Sequence, residues 1–339
     1  SKELDEVAAL HRKHGLRFTP QAGDLFFRHY EKGSEAQRQS LERLYREVEK
    51  YRGDPVVAGW STIEEMAMDY VELFEAPLRK VEEIDPGQTL PQIFNRLTVL
   101  WDVAQKYPMT VAYRDFYPYF GWHKAGPVGA EACANALDVE MRLLGAMLPR
   151  GASAWAMPQS IEMQAEEEGA MRMIYRRPSG AELKLQAWIS LGAGCRGVTY
   201  FHYASDLGDA PEFTGLRMPD GSSSPAWIEL GTLARRLVPR GSVIAGWEQS
   251  YLPLQTDRYQ LRAYLFRNRH DPEVNYVVAF NRDATQRTQG RVRLPFTGVQ
   301  VTDLLDGGRV RARSGRGHTT IRVDYPAGDG TIYRLVGAI

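Results

Sequence analysis

Two adjacent glutamates, Glu64 and Glu65, end the run VVAGWSTI, where acids could exchange protons with a bound ligand. Neighbouring carboxylates repel, so one pKa could be raised, which would suit a general acid near neutral pH. The same pair would also suit the first turn of a following helix. Asp115, near the end of MTVAYRDFY, and Glu162, just past SAWAMPQ, are the other carboxylates placed to join them. Aromatic and histidine side chains gather at the ends of similar runs: Trp60, Tyr113, Tyr117, Trp122, His123, Trp155, Tyr200, His202 and Tyr203. Trp and Tyr there suit stacking on flat apolar faces such as sugar rings, and His202 suits a hydroxyl. Gln21 ends LRFTPQ and Gln159 ends SAWAMPQ, which makes both candidate ligand contacts. Strand side chains alternate, so about half of these residues must pack against helices instead.

Other chemistries find less support. Lys plus Arg and Asp plus Glu number 42 each, so there is no net positive field to draw nucleic acid. Neither Cys133 nor Cys195 stands at a metal-ligand spacing, and two buried thiols are expected, a disulfide being the alternative. The acidic stretch 164–176 (QAEEEGAMRMIYR) reads as a solvated loop, without convergent metal ligands. No GxGxxG or GxxxxGK follows any strand-like run, so a nucleotide cofactor is not expected. Apolar stretches are short and interrupted, which argues against a membrane span. The first residues, SKELDEVAALHRKHG, read as an amphipathic helix and not as a signal peptide.

The elements that must hold these residues alternate. Helical periodicity covers 3–14, 34–51, 66–83, 97–106, 129–148, 180–193 and 225–238. Between them lie six short apolar runs with strand character, at 16–21, 56–61, 89–95, 109–116, 153–159 and 197–203. Strand and helix in turn imply a parallel β/α architecture. A closed barrel needs about eight strands, so the chain either lacks some of them or forms an open doubly wound sheet. After residue 250 the texture changes to short alternating runs divided by NRD, DGG and GDG, which implies a small antiparallel β-sandwich. The boundary falls between 1–248 and 249–339.

Four strings, in order, resemble strand ends of the (β/α)8 glycoside hydrolases. YRGDPVVAGWSTIEEM resembles the fourth-strand signature, VAYRDFYPYF the sixth, SAWAMPQ the seventh, and GAELKLQAWISLGAGCRGVTYFHY the helix leading into the eighth. The resemblance makes LRFTPQ the third strand and implies a TIM-type barrel lacking its first two strands. It assigns the acid/base role to Glu65 and sets Glu64 in the place of an Asn or Asp. It also places Gln159 where the retaining enzymes carry a nucleophilic Glu. The implied partner is a poly- or oligosaccharide, with a secreted or periplasmic setting. Since Gln cannot act as nucleophile or base, a second carboxylate would come from Asp115, Glu162 or elsewhere. The chain is thus expected to be a glycosidase or, alternatively, a barrel that binds glycans without hydrolysing them.

Overall fold

The computed structural model describes residues 2–20, 33–61, 75–88, 91–107, 109–119, 129–167, 170–206 and 212–337. The chain divides into two compact units, Ser1–Asp115 with Leu143–Trp155, and Phe116–Arg142 with Ala156–Ile339.

In the first unit, helices α1 (Lys2–His14), α2 (Glu35–Lys50) and α3 (Glu75–Ile84) present one apolar face each. Ser34 caps α2, its Oγ accepting from the Gln37 amide at 3.2 Å, which satisfies a donor the helix leaves free. Ala8 of α1, Leu44 and Val48 of α2 and Val81 of α3 bury together against Val56, Val57 and Trp60. Two of the expected strands meet there as a parallel bridge between Phe18 and Val57. The Phe18 amide donates to Val56 O at 3.0 Å, and the Ala58 amide to Phe18 O at 2.7 Å. Next come β1 (Pro91–Phe94), α4 (Leu97–Lys106) and β2 (Val111–Phe116); the two strands run parallel, Pro91 opposite Val111 through Phe94 opposite Arg114. A helix joining parallel neighbours is what such a pairing requires. The beginning of β3 (Ser153–Pro158) follows β2 in the strand order.

In the second unit, the rest of β3 runs beside β6 (Gly197–Val198). The Thr199 amide donates to Ala156 O and the Phe201 amide to Pro158 O, and Gln159 and Phe201 close a parallel bridge. Helices α5 (Ala130–Met147), α6 (Gly180–Gly192) and α7 (Pro225–Leu237) accompany these strands. α6 is buried along most of its length and starts with a reciprocal cap between Ser179 and Glu182.

The stretch 164–176, expected to be a loop, is instead mostly strand. β4 (Glu162–Glu167) pairs antiparallel with β5 (Ala170–Tyr175) and on its other side with β7 (Glu212–Thr214). Acids dominate the text of β4, but its central place fills its backbone ladder whatever the side chains are.

Two antiparallel sheets complete this unit. One has the order β13-β16-β11-β10-β8 and the other β14-β15-β12-β9. Their strands are β8 (Trp247–Pro253), β9 (Gln255–Thr256), β10 (Leu261–Asn268), β11 (Val274–Asn281), β12 (Thr288–Leu294), β13 (Gln300–Asp303), β14 (Ala312–Gly315), β15 (His318–Tyr325) and β16 (Gly330–Val336). Leu265, Val277 and Leu335 from the first sheet share one core with Val292 and Ile321 from the second. Helices α6 and α7 are bonded to these sheets. Asp329 Oδ1 accepts from Trp188 Nε1 and Arg236 Nη1, both at 3.2 Å, and Gln249 Nε2 donates to Gly192 O at 2.7 Å. At Gly328 the backbone is left-handed, φ 62°, and a Cβ there would stand 2.1 Å from Ala181 O. Among the described residues, no helix is long and apolar enough to cross a membrane.

Candidate functional site

The residues that follow β2, β3 and β6 within the second unit converge on Gln159. Gln159 is fully buried, and its carboxamide ties three segments together. Oε1 accepts from the Tyr119 amide at 2.9 Å, while Nε2 donates to Ile161 O at 3.1 Å and Arg176 O at 2.7 Å. Its main chain is held in turn by Gln186 of α6, which accepts from the Gln159 amide at 3.1 Å and donates to its carbonyl at 2.9 Å. Such a residue is a framework tie. On the sequence reading it is a ligand contact; in the folded chain none of its surface meets solvent.

The same tie fixes the segment after β2. The Arg176 amide donates to Tyr119 O, and the Cys133 thiol of α5 reaches Pro118 O at 3.0 Å. The Arg176 guanidinium lies 4.6 Å from the centre of the Tyr119 ring and forms a two-pronged pair with Glu182. Burial pushes the phenol of Tyr119 well above its ordinary pKa. Burial likewise raises the thiols of Cys133 to about 11 and of Cys195 to about 12, so neither is a thiolate near neutral pH. Both are free and buried, and the alternative of a disulfide is set aside.

With its neighbours pinned, Tyr117 joins a half-buried aromatic group. Its ring stacks on Phe201 at 5.4 Å and 24°, and meets Tyr175 of β5 edge-on at 5.5 Å. Phe201 stacks on His202 at 4.7 Å and meets Phe213 of β7 edge-on at 6.1 Å. The β5-β4-β7 sheet therefore supplies two of the five rings. Met163 lies opposite both Tyr175 and Phe213, so that face carries the rings. Glu162, one residue earlier and opposite Thr214, is turned to the other face.

Of the remaining candidates, Tyr200 is a packing residue. It sits against Leu183, Leu216, Ala226 and Leu230 and donates its hydroxyl to Leu183 O. Burial raises its pKa strongly. Trp60 lies in the first unit. It is wholly buried in the helical core, with Nε1 donating to Asp85 Oδ2 at 3.0 Å. Tyr113 stands 5.5 Å from Trp155 between β2 and β3 of the first unit. Asp115 is buried at the end of β2, and its main-chain carbonyl accepts from Arg114 Nη1. Glu64, Glu65, Gln21, Trp122 and His123 lie outside the described residues. Among the described residues no group of His, Cys, Asp or Glu is arranged to hold a metal ion.

The sequence reading includes Tyr117 and His202 but misses Tyr175, Phe213 and Arg176. Their signal lies in MRMIYR and EFT, where Tyr175 ends one short strand, Arg176 follows it, and Phe213 is the middle residue of the other.

No family model matches the chain, and no curated protein matches it. Solved structures do. The chain is similar to a glycoside hydrolase family 5 protein from Bacteroides vulgatus, with 12% identity and a TM-score of 0.56 over 88% of this chain and 66% of that one. It is similar to a maltogenic alpha-amylase from Thermotoga neapolitana, with 14% identity and a TM-score of 0.52 over 91% of this chain and 67% of that one. A beta-galactosidase from Marinomonas aligns with 16% identity and a TM-score of 0.52 over 71% of this chain and 52% of that one. The fold is glycoside-hydrolase-like. The chain spans about two thirds of the first two neighbours and about half of the third.

Proposed function

We propose that this chain acts on a poly- or oligosaccharide as a glycoside hydrolase, with Glu65 as general acid. The observation that carries the reading is the half-buried platform in which Tyr117, Phe201 and His202, after parallel strands, meet Tyr175 and Phe213 of the β5-β4-β7 sheet. In a glycoside-hydrolase-like fold, the C-terminal strand ends are where ligands are handled. Aromatic rings there match the apolar faces of a pyranose, and the imidazole suits its hydroxyls. Residues 1–248 are read as a (β/α)8 barrel lacking its first two strands, and 249–339 as an accessory β-sandwich. Asp115 is the proposed second carboxylate. Neither metal nor organic cofactor enters the proposed reaction.

A second reading is a glycan-binding protein without turnover. Gln159 favours it, because it stands in the nucleophile's place by resemblance and is locked into backbone hydrogen bonds.

Aryl glycosides and polysaccharides, assayed with Glu65→Gln as control, separate the two. Hydrolysis that falls by roughly 100-fold or more in the variant supports the acid role, the range general acids contribute. Turnover indifferent to the substitution overturns it. Glycan binding without turnover in the native chain supports the second reading.

A further inference from the structure

A cleft of about 860 Å³ opens in the two-sheet module, lined from both sheets. β10 contributes Arg267, and its ladder partner on β11 is Asn275. The other sheet contributes Arg293 of β12 and His318 of β15. Phe296 and Leu265 supply apolar floor, and both also touch the module's hydrophobic core.

The charges are lopsided. Arg267, Arg269 and Arg293 line the cleft against one carboxylate, Glu248, which already pairs with Arg269 at 2.9 Å. Arg293 meets only neutral or weakly basic partners, Gln255 Oε1 at 3.4 Å and His318 Nδ1 at 3.2 Å. Asn275 is 94% buried and lines the same cleft. A carboxamide that lines a cavity can both donate to and accept from a ligand. Guanidinium forks match the two oxygens of a carboxylate, and an apolar floor suits the body of a ring.

We propose that this cleft is a second ligand site, which binds an acidic saccharide through the carboxylate of a uronic acid residue. Arg267 and Arg293 hold the carboxylate, Asn275 hydrogen-bonds a neighbouring oxygen, and Phe296 meets the sugar ring. None of these residues belongs to the proposed catalytic set, so the site stands or falls apart from hydrolysis.

The test is affinity electrophoresis and calorimetry of the full chain with oligogalacturonate, a neutral oligosaccharide of equal length, and inorganic phosphate. Oligogalacturonate is expected to bind with Kd on the order of 1 mM or tighter, and the neutral sugar not to bind this site. Arg267→Gln with Arg293→Gln is expected to weaken binding by roughly 10- to 100-fold, as loss of charged hydrogen bonds implies. The variant's unfolding midpoint, measured in parallel, shows that it folds. Arg322→Gln, an exposed arginine outside this cleft, serves as a second variant and is expected to bind like the native chain. Equal binding by the cleft variant, or no binding by the native chain, overturns the proposal. Phosphate binding without uronate binding overturns the saccharide assignment.

Discussion

Arg176 grips Glu182 with both arms of its guanidinium, Nη1 to Oε2 at 2.8 Å and Nη2 to Oε1 at 2.6 Å. The same guanidinium covers the Tyr119 ring, and the Arg176 carbonyl receives the Gln159 amide. Glu182 also caps α6, so one pair joins a helix start, a strand end and, through Tyr119, the segment that carries Tyr117.

Glu182→Gln is expected to destabilise the chain by about 3 kcal/mol, the low end for opening a buried pair, since Arg176 keeps some exposure. Urea unfolding at neutral pH measures it. Desolvation pushes the Glu182 pKa up, but Arg176 and Ser179 together outweigh it and hold the carboxyl below its ordinary 4.5. A depressed carboxylate stabilises fully above its unfolded value and loses that contribution as pH falls through the folded one. The gap between native and variant stability should therefore be widest at neutral pH and close below 4.5. A gap that stays constant into acid would show that the charge is not its source.

Gln159→Glu restores the carboxyl that the family resemblance leads one to expect, and it is predicted to fail. A glutamate there would place negative charge against the Ile161 and Arg176 carbonyls, which now accept from Nε2. The expected loss is about 3 kcal/mol or more, because an unsatisfied buried group costs most when charged. Denaturant unfolding reads the loss, and glycosidase assays should detect no gain of turnover.

Asp85→Ala removes two bonds at once, from Trp60 Nε1 and from the Gly53 amide at 3.2 Å. Leaving the buried indole N–H without an acceptor is expected to cost about 2 kcal/mol. The change should appear as an earlier transition in tryptophan fluorescence, with sugar binding unaltered.

Tyr175→Ala takes away a half-buried ring at the side of Tyr117. If the platform stacks on sugar, affinity falls by roughly 3- to 10-fold, in line with about 1 kcal/mol for an aromatic contact. In kinetics the effect belongs in KM and not in kcat, as for binding energy used equally in ground and transition states. An unchanged KM would remove Tyr175 from the site.

Much of the strand order was legible because apolar runs are short and bounded by Gly, Pro and Asp, as in DPVVAGW and PMTVAY. β4 is hard to read from sequence because Glu162, Glu166 and Glu167 hide the alternation of Met163 and Ala165. Strand β8 is masked in a similar way, since its start WEQS is mostly polar. Trp60, Gln159 and Tyr200 read as ligand contacts from their residue type and their places at strand ends, and in the structure their polar atoms bond buried partners. Indole, carboxamide and phenol serve a ligand or a buried bond equally well, and the partners Asp85, Arg176 and Leu183 stand between 17 and 25 residues away in sequence. Nothing local marks such pairs. His202 and Tyr117 were legible because they follow strands directly, whereas Tyr175 and Phe213 reach the platform on a sheet inserted between β3 and α7.

Gly328 sets a limit on how this protein can be rebuilt. With Ala181 O at 2.1 Å from where any Cβ would stand and a left-handed backbone besides, position 328 admits no second amino acid while α6 keeps its place. In a saturation library sorted for folded chains, that codon should return glycine alone, where the open Gly307 and Gly317 turns tolerate asparagine. A chain cut before the two-sheet module would strip the partners from Trp188 and Arg236. The module is thus a poor candidate for exchange with another protein's appendage, and grafting would have to carry α6 and α7 along with it.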